Sequence, residues 1–170
     1  MRASGARRAL LGLAVLSTFA IAAPARADVV TDWNAVAASA LAAPAGATPP
    51  GANQGAIGAV SLAMVHGAVY DAVNAIAGGH EPYVSSPAAE PSYSQEAAVA
   101  AAARHMLLNG GLTGPAGFAP ARITAIETAY MNTLAGIPAG PAREGGIATG
   151  VAAATAVIAA RAGVGRHSPG

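Results

Sequence analysis

Leu62-Ala63-Met64-Val65-His66-Gly67-Ala68-Val69-Tyr70-Asp71-Ala72-Val73-Asn74-Ala75-Ile76 is the stretch that decides the fold class. Leu62, Val65, Val69, Val73 and Ile76 recur at intervals of three, four, four and three residues, which is the period of a helix with one core-facing stripe. The same pattern predicts a helix over residues 56–77, stopped by Gly78-Gly79. Laid on that helix, His66, Tyr70 and Asn74 fall one turn apart on a single face, with Asp71 on the neighbouring one.

Working outward, the periodicity stays helical and no useful strand-like alternation occurs. A first helix is expected from Val29 to Leu41, with Val29, Trp33, Val36 and Ala40 inward and Asp28 or Thr31 as its cap. Residues 42–55 (AAPAGATPPGANQG) read as a loop broken by Pro44, Pro49 and Pro50. After a Pro- and Ser-containing excursion from His80 to Pro91, Ser92 and Gln95 have the spacing of a capping box for a third helix ending near Leu108. Pro120 suits the first turn of a fourth, with Ile123, Ile126, Tyr130 and Leu134 as its stripe and Gly136 as its end. Pro141 opens a fifth, with Ile147, Val151, Ala154 and Ile158 inward and Gly163 and Gly165 closing it. Gly145-Gly146 and Gly150 weaken that helix intrinsically and are expected to admit another helix at close range. The fold expected is all-α: about five helices in an incomplete bundle, following a cleaved signal peptide.

The signal peptide is read over residues 1–27. Arg2, Arg7 and Arg8 form a basic start, Leu10 to Ala23 an apolar run too short for a confident membrane span, and Ala25-Arg26-Ala27 a cleavage site. Arg7-Arg8 fits the twin-arginine pattern poorly, so general secretion to the periplasm or exterior is the preferred route. Residues 28–163 then form the helical domain, and 164–170 a tail or the start of a linker. Without the leader, five Arg face eight acids, and the chain has no Lys. A mildly acidic surface with no basic cluster argues against nucleic acid or anionic lipid as partner. No stable membrane span is expected, because the fifth helix is Ala-rich and carries Arg161.

The chain has no Cys, so disulfides cannot staple it. Much of its 54% hydrophobic content is Ala, and aromatics are 4%. At roughly 25 cal/mol per Å² buried, Ala gives little per helix, so a thin core and marginal isolated stability are expected.

Chemical motifs are few. Gly-x-Ser-x-Gly, His-Glu-x-x-His and a phosphate loop are absent. The His66, Tyr70, Asn74 and Asp71 set has two readings: a polar pocket or ligand site, or an interhelical hydrogen-bond cluster that locks helix packing. The second is preferred, because buried polar groups need partners. His105, beside Arg104, is read as helix-end or interface packing, His80 and Glu81 as a loop or turn contact, and His167 as tail. Glu127 and Glu144 are read as solvated surface carboxylates. No residue is assigned a catalytic, cofactor-binding or metal-ligating role.

The helix from Leu62 to Ile76 resembles the "His-Ala-Ala-Met-Tyr-Asp-Ala-Val-Asn-Ala-Ile" helix near the start of bacterial vanadium-dependent haloperoxidase-like proteins, secreted relatives of the type-2 phosphatidic-acid phosphatases. Asp28-Val29-Val30-Thr31-Asp32-Trp33-Asn34 is similar to that family's opening, and Pro82-Tyr83 to the loop that follows. Ala100 to Leu108, through His105, resembles its Ala-rich helix. Tyr130, then Leu134-Ala135-Gly136-Ile137-Pro138, Gly145 to Gly150, and Ile158-Ala159-Ala160-Arg161 resemble later scaffold segments. The resemblance implies an α-helical bundle that holds vanadate or phosphate. In that family a Lys and Arg-Pro, then Pro-Ser-Gly-His, then Ser-Arg and a further His do the chemistry. This chain has no Lys, and Arg166-His167-Ser168-Pro169-Gly170 does not match that arrangement. The resemblance thus implies a truncated, haloperoxidase-like N-terminal scaffold, not catalytic alone. Vanadate is expected only in a full-length member, and the partner is the missing catalytic domain or a second copy. The alternative is a stand-alone secreted helical protein for binding or self-assembly.

Overall fold

The computed structural model describes residues 29–42, 54–113 and 117–162, with the side chains of the second helix described from Gly58 onward. The leader and its cleavage site, the Asp28 cap, the 43–53 part of the expected loop, the closing Gly163 and Gly165, and the 164–170 tail lie outside the described residues. Among the described residues there are five helices and no strand: α1 (Val29–Leu41), α2 (Gln54–Ala77), α3 (Gln95–Asn109), α4 (Pro120–Ala135) and α5 (Pro141–Arg161). The all-α expectation of about five helices is met.

α3 is the hub. Every residue from Ala97 to Ala103 is buried, so the helix is covered all round. It packs against α5, α2, α4 and α1. At its ends it reaches the surface: Gln95 and Glu96 are exposed at the start, and Arg104, His105 and Leu108 are half-buried toward the C-terminus. Twelve of the twenty-three buried apolar residues are Ala, so the helices touch nearly backbone to backbone, with few large side chains between them. Trp33, Met106, Leu107 and Ile126 supply the bulk.

The stripe on α2 is as read: Val65, Val69 and Ile76 are buried, and Leu62 and Val73 pack partly against them. α2 is long and apolar enough between Gly58 and Ala77 to cross a membrane by composition. Half of that segment is buried inside the protein, where it is a core helix. Its stop is also as read, since Gly78 and Gly79 take φ of 70° and 94°, a left-handed backbone that suits glycine.

Four local readings are corrected. The cap of α3 is Ser94, not Ser92: the Ser94 side chain accepts from the Ala97 amide at 3.1 Å. The residue at the third position is then Ala97, so the reciprocal half of a capping box does not form. Ser94→Ala is expected to cost about 1 kcal/mol in urea unfolding, and Ser92→Ala nothing measurable. Thr31 lies inside α1 and does not cap it.

On α4 only Ile126 is buried, and Ile123 is 40% exposed. Tyr130 of the expected stripe packs partly against the core together with Ala129, and Arg122 and Thr133 reach α1. On α5 the buried residues are Gly146, Thr149, Gly150, Ala153, Ala154 and Val157, whereas Ile147, Val151 and Ile158 are half-buried on the flank. The physical reason is close approach. A β-carbon on Gly150 would overlap the Ala98 carbonyl oxygen, and one on Gly146 the Ser94 carbonyl oxygen. The glycines sit at the α3 contact because bulkier neighbours cannot.

Candidate functional site

The polar residues of α2 converge on the loop that follows it. Asp71 is fully buried, and its carboxylate accepts backbone N–H groups from Tyr83 at 2.5 Å, Val84 at 2.9 Å and Ser85 at 3.0 Å. Three amides satisfy a charge that burial would otherwise penalise. Asn74 works one turn on, donating to the His80 carbonyl at 2.7 Å and accepting the His80 amide at 3.2 Å. Tyr70 donates its hydroxyl to the Glu81 carbonyl at 2.9 Å. His66 alone reaches another helix: its Nε2 lies 2.9 Å from Asn34 Oδ1 on α1.

This face therefore organises residues 80–85. The ring of Tyr83 lies against Gly67, where a β-carbon would collide with it, and Arg161 of α5 donates to the Tyr83 hydroxyl at 2.6 Å. A groove of about 530 Å³ runs alongside, lined by Val30, Val69, Val73 and Ala77 with His66 and His80 at its edge. The expected interhelical lock is corrected: only His66 joins two helices, and Tyr70, Asp71 and Asn74 hold the loop that follows α2.

The second polar centre is at the end of α3. Arg104 forms a two-pronged ion pair with Glu127 of α4, at 2.8 Å from Nε and 2.6 Å from Nη2. Its guanidinium also lies 4.9 Å from the centre of the Tyr130 ring. The reading of Glu127 as a solvated carboxylate is thus corrected, whereas Glu144 is exposed. Hydrogen bonding to Arg104 holds the Glu127 carboxyl below its usual range, and Glu127 in turn raises Arg104. Burial raises Tyr130.

His105 is an interface residue, as read. Its Nε2 lies 3.3 Å from Thr155 Oγ1 on α5, and that hydroxyl already donates to the Val151 carbonyl at 2.8 Å. The imidazole is accordingly the donor between them. Burial first, and the neighbouring Arg104 second, hold its pKa below the ordinary histidine value. The unfolded chain therefore takes up the proton at a higher pH than the folded one. Stability is full above about pH 6.5 and falls as the pH drops from there to the folded value. Glu127 acts in the same direction at lower pH, since its depressed pKa contributes stability that acid removes. The urea midpoint is expected to fall between pH 7.5 and 5.5, and His105→Gln to flatten that slope. An unchanged slope in the variant would exclude His105.

The sequence shows no sign of the Arg104–Glu127 pair or of Arg161 with Tyr83, because these partners are 23 and 78 residues apart. Chemically, Tyr70, Asp71 and Asn74 are engaged in positioning backbone, and His66 is paired with the Asn34 side chain. No residue there is set beside a base as a nucleophile would be. Among the described residues no group of three His, Asp or Glu side chains converges as a metal site would. Compared with protein-family models, curated proteins and solved structures, the chain matches none.

Proposed function

We propose that this chain is an exported helical scaffold of the haloperoxidase-like class, not catalytic alone, whose role is to support a catalytic helical bundle. The observation that carries this reading is the state of the α2 face. His66, Tyr70, Asp71 and Asn74, the residues most suited to chemistry, hold a loop and a neighbouring helix. The resemblance along Leu62–Ile76 supplies the family, and the lack of Lys among the 170 residues removes one of the oxyanion-binding groups that family uses. Vanadate belongs to the catalytic bundle in this reading.

The test is an assay of the full chain for phosphate-ester hydrolysis, and for bromide oxidation with vanadate and peroxide. No turnover is expected. Turnover that His66→Ala abolishes without loss of helicity would overturn the proposal. Light scattering supplies the second readout. A stable dimer that Met131→Asp dissociates would replace the catalytic bundle with a second copy as the partner; Met131 is 64% exposed on α4.

A further inference from the structure

α4 is held differently from the other helices. It rests chiefly on α3 and α1, and Ile126 is its one buried residue. Ala129 and Tyr130 add partial apolar packing, and polar holds are spread along its length. Arg122 donates to the Ala40 carbonyl at the end of α1 at 2.6 Å, Glu127 pairs with Arg104, and Thr133 accepts from the Trp33 indole at 3.3 Å. By contrast α3 and α5 meet through buried Ala and Gly with their backbones nearly touching.

Two further observations bear on how α4 is held. Positive-φ glycines lie on both sides of it, Gly117 at 65° before and Gly140 at 139° after, as Gly79 and Gly111 do around α3. Beneath its C-terminal end lies a cleft of about 730 Å³ with a mixed lining, apolar at Val29, Val73 and Ile137 and polar at Asp32, Glu96 and Asn132. The seat is therefore incompletely filled.

We infer that α4 is a hinged lid over the Trp33 surface of α1 and α3, and that it opens as a unit while α2, α3 and α5 stay folded. The Arg104–Glu127 pair is the latch: it is the strongest polar hold, and both side chains are about one third exposed, at 32% and 38%. Opening breaks the Trp33–Thr133 hydrogen bond and uncovers the buried Trp33 ring beside the cleft. This inference does not depend on the family reading above.

Trp33 is the chain's one tryptophan, buried at 1%, and its indole hydrogen bond ends on α4. Its fluorescence therefore reports the lid directly. The experiment is acrylamide quenching of Trp33 together with amide exchange on the full chain, wild type against Glu127→Gln. We expect exchange over residues 122–135 to rise about tenfold and quenching to increase, with α3 and α5 amides unchanged. The charge exchange Arg104→Glu with Glu127→Arg should restore both. Raising salt on the wild type is the control that needs no variant, because it screens a half-exposed pair and should loosen the same residues. The inference is overturned if α4 amides exchange no faster than those of α3 and α5 in the wild type. Loosening of all five helices together in Glu127→Gln would overturn it too.

Discussion

Gly150→Leu is expected to leave the chain unfolded at room temperature. A β-carbon at this position would overlap the Ala98 carbonyl oxygen and crowd the Ala102 amide at 2.9 Å and the Ala101 β-carbon at 3.0 Å. Two of these neighbours are α3 backbone, which cannot rotate away as a side chain would. Relief requires α5 to move off α3, and that contact is the centre of the fold, joining Ala98 and Ala102 to Gly150, Ala153 and Ala154. A displacement of that kind removes most of a core in which Ala supplies little area per residue. The cost is on the order of 5 kcal/mol, comparable with the whole stability of a small domain. Circular dichroism should show lost helicity and no cooperative melt. The matched control is Gly58→Ala on α2, where an added β-carbon meets nothing within 4 Å. Helix propensity predicts that this change stabilises by up to about 1 kcal/mol. If Gly150→Leu folds and melts like the parent, the close α3–α5 packing is wrong.

Asp71→Ala is the second large effect expected, about 3–5 kcal/mol. The substitution removes the acceptor for three amides, at Tyr83, Val84 and Ser85, and leaves an apolar side chain against them. Because the carboxylate is fully buried, water does not reach the site to take its place. Asp71→Asn is milder, since its one remaining oxygen accepts some of these bonds. Urea unfolding gives the sizes, and amide exchange gives the location: protection at residues 83–85 should be lost first. The loop also carries Tyr83, whose ring fills the space beside Gly67 and whose hydroxyl accepts a hydrogen bond from Arg161. Asp71→Ala should therefore loosen the end of α5 as well. Equal loss of protection across all helices would show that the carboxylate supports the whole core and not this loop.

The helices themselves were legible in the chain. Pro120 and Pro141 mark the starts of α4 and α5, Gly78-Gly79 and Gly136 mark ends, and the 3-4 spacing of Leu62 to Ile76 marks α2. These signals are local. They act through φ restriction, missing amide donors and side-chain spacing within one turn, and they need no neighbour to operate. That the polar α2 face is engaged in hydrogen bonds was legible too, because a buried Asp or Asn must find partners wherever it lies. The cap of α3 lies two residues beyond the position that the spacing indicates: the Ser94 side chain, not that of Ser92, accepts from the Ala97 amide.

The buried faces of α4 and α5, and the partners of Arg104 and Tyr83, belong to the tertiary level. On α5, where Ala and Gly make up about half of the positions, hydrophobic contrast around the helix is small, and the largest apolar residues do not mark the inside. Ile147, Val151 and Ile158 lie on the flank of α5 because the space against α3 admits only Gly146, Gly150, Ala153 and Ala154. Burial there follows from how near two backbones can come. That distance is set by both helices together, and no period within either one records it.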